Sequence, residues 1–119
     1  HEVLTVVFLD AAHAVLDATV VAEGTVTVNT IYPRELVKAA LARNASALVI
    51  AHNHPSGSLT PSRQDSELTR SLYLVCSFMH LDLLDHLIIG AGDQVYSFAD
   101  QGLMATIRED CRRLLGRSG

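Results

Sequence analysis

Residues 46–65 read Ser-Ala-Leu-Val-Ile-Ala-His-Asn-His-Pro-Ser-Gly-Ser-Leu-Thr-Pro-Ser-Arg-Gln-Asp. The first six, Ser46 to Ala51, are a short apolar run of the kind that forms a buried strand. The next ten, His52 to Pro61, hold Pro, Ser, Gly and Thr and read as a loop. Ser62 then opens a long helical pattern that reaches Met79, with Leu68, Leu72, Cys76 and Met79 on one stripe. A strand, a polar loop and an amphipathic helix in this order form the repeating unit of α/β architecture.

The same stretch carries the chemistry. His52 and His54 are two residues apart at a strand end, and in extended chain such residues point to one side. Pro55 biases His54 towards extended geometry and preserves that alignment. Gly57 allows a sharp turn. Asp65 lies three residues after Ser62, so Ser-x-x-Asp resembles a capping box with Asp in place of the usual Glu or Gln. A carboxylate in the first turn is favoured by the positive end of the helix and stays ionised. Two histidines near a loop are most often polar surface, and Ser62 with Asp65 alone is more often a cap than a site. The conjunction of His-x-His-Pro, a glycine-bearing loop and Ser-x-x-Asp points instead to a metal site. Two imidazoles and one carboxylate leave a fourth position open, the pattern of catalytic zinc.

Working outward, Val3 to Leu9 is a nearly unbroken apolar strand. Asp10 to His13 turn the chain into a second strand over Ala14 to Val21, and Thr25 to Val28 is a weaker third. Pro33 starts a helix that Asn44 closes. Leu83 to Ile89 and Gln94 to Phe98 read as strands around Gly90-Ala91-Gly92-Asp93. Leu103, Ile107, Cys111 and Leu114 stripe a last helix, with Arg112, Arg113 and Arg117 near its negative end. The expected fold is α/β, a mixed sheet with helices on both faces.

The chain has 119 residues, which reads as one domain over 1–119, and it opens directly into a strand, as a piece of a longer protein would. It is 49% hydrophobic and 18% charged, with no run long enough for a membrane helix. Thirteen acidic against nine basic residues give −4, which argues against a domain that mainly grips phosphates. Cys76 and Cys111 form no CxxC unit, and with no leader sequence this favours the cytoplasm. The deaminase spelling His-x-Glu with Pro-Cys-x-x-Cys is absent, as is His-Glu-x-x-His. The letters His-Asn-His match the name of the HNH nucleases only by coincidence.

His52-x-His54-Pro55, six residues, Ser62, two residues and Asp65 is similar, position for position, to the JAMM (MPN-plus) metalloprotease motif. The spelling His52 to Gly57 with Pro61-Ser62 resembles the RadC branch of bacterial proteins. So do Tyr32-Pro33-Arg34-Glu35, Asp85-His86-Leu87-Ile88-Ile89-Gly90 and Tyr96-Ser97-Phe98-Ala99. The resemblance runs from about Glu2 to Leu103. It implies a JAB/MPN fold of cytidine-deaminase-like architecture, and full-length RadC proteins carry a further N-terminal helical region.

The resemblance also implies a mechanism. Zinc, one ion per chain, would be held by His52, His54 and Asp65 and would lower its water's pKa towards about 7. Glu2 resembles the upstream glutamate that takes the proton, although Thr5 stands where that pattern has glycine; Glu23 and Glu35 compete with it. Ser62 would hydrogen-bond the oxyanion. The substrate would be a peptide or isopeptide in a protein. The alternative is a non-catalytic, metal-stabilised interaction module of a DNA-repair-associated protein. Asp85 and His86 read as core or supporting groups rather than ligands, and Tyr32, Arg34 and Glu35 as a helix start.

Overall fold

The computed structural model describes residues 1–24, 26 and 31–116. The order is β1 (Glu2–Leu9), β2 (Val15–Gly24), α1 (Pro33–Ala42), β3 (Ala47–Asn53), α2 (Arg63–Phe78), β4 (Asp82–Ile89), β5 (Val95–Ser97) and α3 (Leu103–Leu114). One five-stranded sheet runs β2-β1-β3-β4-β5. Its β3–β4 pair is parallel and its other pairs are antiparallel, so the sheet is mixed as expected. Of the strand expected over Thr25 to Val28, only Val26 lies within the described residues, and Arg117 lies outside them.

Alternation along the strands sorts the sheet into two unequal faces. Leu4, Val6 and Phe8 pair across the β1–β3 register with His52, Ile50 and Leu48, and all six are buried. These pairs continue onto Ile88, His86 and Leu83 of β4. Val3, Thr5, Val7, Val49, Ala51, Leu87 and Ile89 point the other way and are only half-buried.

All three helices cover the first face. Arg43, just past α1, lays its guanidinium over the Phe8 ring at 4.6 Å. Thr69 of α2 touches His86, and Cys111 of α3 points its sulfur at the Arg70 carbonyl of α2. The α/β class and the mixed sheet match the expectation, whereas placement of helices on both faces does not. Element order does not encode which side a helix takes. The apolar stripes of α1, α2 and α3 enter one cluster through Leu36, Ala40, Leu68, Leu72, Cys76, Met104, Ile107 and Cys111.

Local chemistry sets the boundaries. Pro33 occupies the first position of α1, and the chain leaves that helix through Asn44 at φ +52°. Ser62 caps α2, so Arg63 rather than Ser62 is its first helical residue. The expected loop starts too early, because His52 and Asn53 still pair with Ile88 and Ile89 and belong to β3. No described helix is long and apolar enough to cross a membrane.

Candidate metal centre

Strand β3 ends where helix α2 begins, and the three candidate ligands meet in that corner. His52 and Asp65 are buried, and His54 is half-buried. Nitrogens of His52 and His54 and a carboxylate oxygen of Asp65 lie within 4.8 Å of one another. His52 Nε2 is 3.1 Å from Asp65 Oδ1, and His54 Nε2 is 3.0 Å from Oδ2.

Asp65 caps and faces the histidines at once. Its backbone N–H donates to Ser62 Oγ at 3.0 Å, and its Oδ2 accepts the Ser62 N–H at 2.7 Å, a complete capping box. Burial alone would raise its pKa. Hydrogen bonding with His52 and with the Ser62 backbone outweighs burial and holds the carboxyl well below the usual range. Asp65 is therefore an anion in a dry corner.

The outer nitrogens of both imidazoles are engaged. His54 Nδ1 lies 2.9 Å from the Ser58 carbonyl, which can only accept, so Nδ1 carries the proton. In neutral His54 the lone pair then sits on Nε2 and faces the Asp65 carboxylate. At 3.0 Å either a proton or a metal ion must lie between that nitrogen and the carboxylate oxygen. The donor chemistry of this corner therefore fits a metal ion.

Behind the ligands, His52 Nδ1 is 2.7 Å from Nε2 of His86. His86 is fully buried, stacks on Phe98 with ring centroids 4.5 Å apart, and places Nδ1 2.6 Å from the Thr69 hydroxyl. Burial first, and repulsion from His52 next, lower its pKa to about 3 and keep it neutral. His86 is thus a supporting group and not a member of the ligand cluster.

The other expected residues separate by face. Glu2 lies two residues before Leu4, which pairs with His52, and so shares the face of β1 that carries Leu4. Glu2 Oε2 accepts the Val26 N–H at 3.3 Å. Glu23 pairs with Val3 on the opposite face, which removes it as a competitor. Tyr32 N-caps α1, and Arg34 and Glu35 sit exposed in its first turn, apart from the ligand cluster. Asp85 accepts from the His86 and Ala99 N–H groups and from the Ser97 hydroxyl, stapling β4 to the turn after β5.

Asn53 and Thr69 carry roles the sequence reading did not assign. Asn53 Oδ1 accepts the Val3 N–H at 2.7 Å, and its Nδ2 donates to the His1 carbonyl at 3.1 Å. It therefore clamps the backbone on both sides of Glu2. Its signal was its place between the two histidines, pointing the other way along the strand. Thr69 was readable as the residue one helical turn beyond Asp65.

Comparison with known proteins agrees with this geometry. Residues 1–103 match the family model described as the RadC-like JAB domain. A UPF0758 protein of Aromatoleum aromaticum is 48% identical over 104 residues, covering 87% of this chain and 46% of the relative. A UPF0758 protein of Leptothrix cholodnii is 47% identical over the same coverage. One from Burkholderia ambifaria is 46% identical over 102 residues, covering 86% of this chain and 39% of the relative. The chain thus spans less than half the length of these curated relatives. With a ligand corner of this spelling on a mixed α/β sheet, the chain belongs to the family of RadC-like JAB domains.

Proposed function

We propose that this chain is the catalytic domain of a metal-dependent peptidase or amide hydrolase, with zinc as the metal and a peptide or isopeptide bond as the substrate. The observation that carries this reading is the convergence of His52, His54 and Asp65 within 4.8 Å. When bound, zinc would supply a Lewis acid and a water ionisable near neutral pH. A set of two histidines and one carboxylate also suits ferrous iron, and metal analysis of the purified protein separates the two.

The chain's own residues do the rest. Glu2, on the same face of β1 as Leu4, accepts the proton of the attacking water and returns it to the leaving amine. Ser62 Oγ accepts from the Asp65 N–H, which leaves its O–H to donate outward to the substrate oxygen as that oxygen gains charge. The net charge of −4 supports a protein substrate over a phosphate polymer.

The test combines metal content with turnover. The native protein is expected to hold about one zinc per chain, and His52→Ala with His54→Ala to abolish it. Undiminished zinc in that double variant sinks the site. Glu2→Gln should keep the metal and lower hydrolysis of a reporter peptide by about 10² to 10⁴. Hydrolysis that survives Glu2→Gln would remove Glu2 as the base.

A further inference from the structure

Four polar or charged residues are buried among those described: His52, Asp65, Thr69 and His86. They form one connected chain. Thr69 Oγ1 lies 2.7 Å from the Asp65 backbone carbonyl and 2.6 Å from His86 Nδ1, and His86 Nε2 lies 2.7 Å from His52 Nδ1. We propose that His86, oriented by Thr69, is a positioning residue that holds a proton on His52 Nδ1 and so keeps Nε2, 3.1 Å from Asp65 Oδ1, as the ring nitrogen offered to the metal. This rests on the metal-centre reading given above.

The direction follows from the end of the chain. The Asp65 carbonyl has no proton to give, so the Thr69 hydroxyl donates to it. Thr69 Oγ1 then accepts from His86 Nδ1–H. Neutral His86 is left with a lone pair on Nε2, which accepts from His52 Nδ1–H. The opposite order puts the proton on His86 Nε2 and makes His52 Nδ1 an acceptor. Neutral His52 would then carry its proton on Nε2 and could not ligate. One carbonyl on α2 therefore sets the tautomer of a ligand on β3, through two side chains that touch neither metal nor substrate. Phe98, stacked on His86, holds the relay ring in its plane.

Nitrogen-detected NMR of the histidine rings in the metal-free protein reads the order directly. The expected result is protons on His86 Nδ1 and His52 Nδ1 and none on His86 Nε2. Zinc affinity by chelator competition is the second readout. His86→Leu fills the space without an acceptor and should lose about 10- to 100-fold in affinity. His86→Gln, whose carbonyl can accept from His52, should recover part of that loss. Thr69→Val keeps the shape, removes the hydroxyl, and should weaken zinc in the same direction should the Leu variant fail to fold. A proton found on His86 Nε2, or a folded His86→Leu or Thr69→Val with unchanged zinc affinity, overturns the proposal. A wild-type protein with no zinc affinity overturns the metal reading, while the proton positions still judge the relay.

Discussion

The Asn53 side chain accepts the Val3 N–H at 2.7 Å and donates to the His1 carbonyl, so the residue between the two histidines anchors the strand start that carries Glu2. Ligand and base candidates are thereby tied through one amide. Asn53→Ala should leave zinc affinity within about threefold, because it removes no ligand. It should also lower kcat by about tenfold or more, since misplacing a catalytic group by about 1 Å can cost 10²-fold. Metal titration and steady-state kinetics on the same variant check this; unchanged kcat would show that Glu2 needs no clamp.

Asp65→Asn tests the double duty of that residue. An amide can still accept the Ser62 N–H but loses the anion that faces both histidines. Zinc affinity should fall sharply. Metal-free stability should fall by about 0.5–1 kcal/mol, as for a lost charge at a helix start. Chemical denaturation in the presence of chelator measures the second quantity alone, and wild-type zinc affinity would reduce Asp65 to a cap.

Gly90, at the end of β4, leaves room for the ligand loop. A Cβ there would lie 2.6 Å from Leu59 Cδ2 and 3.0 Å from the Gly57 carbonyl oxygen. The His54 N–H also donates to the Ile89 carbonyl at 3.2 Å, so loop and strand end are held together. Gly90→Ala should cost about 1–3 kcal/mol from overpacking and weaken zinc several-fold. Adding Leu59→Ala should restore part of both, because the closest clash is with a side chain. A double variant no better than Gly90→Ala would place the cause in the backbone.

Burial pushes the Cys76 thiol up from 9.0 to about 11. The native state disfavours the thiolate, so this contribution to stability is whole below pH 9 and is lost as pH rises through the window up to about 11. Unfolding curves from pH 8 to 11 should show a decline that is shallower in Cys76→Ala. That variant is itself less stable at pH 7, because it empties space in the core. Parallel slopes in the two proteins would remove Cys76 as the cause.

Much of this was legible in the chain. Apolar period and turn chemistry placed all eight described elements, with a ninth over Thr25 to Val28 largely outside the described residues, and the spacing of His52, His54, Ser62 and Asp65 pointed to a corner that the structure brings together. What was not legible is three-dimensional. The side of the sheet taken by each helix depends on which strand residues its stripe packs with, as Leu36 and Ala40 of α1 do in one cluster with Leu4, Val6 and Phe8. In the sequence Asp65 is a cap or a ligand, whereas in the fold one carboxylate offers enough oxygen lone pairs for both. Thr69 and His86 are 17 residues apart, and only folding reveals that their side chains share a proton.

The capping box has a consequence for how this site can vary. Because Asp65 is bonded to Ser62 through the first turn of α2, the interval between them is set by the helix and not by the metal. One residue inserted there would swing the carboxylate by about 100° around the axis and away from both imidazoles. The stretch from Pro55 to Pro61 obeys no such periodicity. Insertions and deletions compatible with a working centre should therefore collect before Ser62 and stop at it, so that α2 keeps its phase while the approach to it changes length.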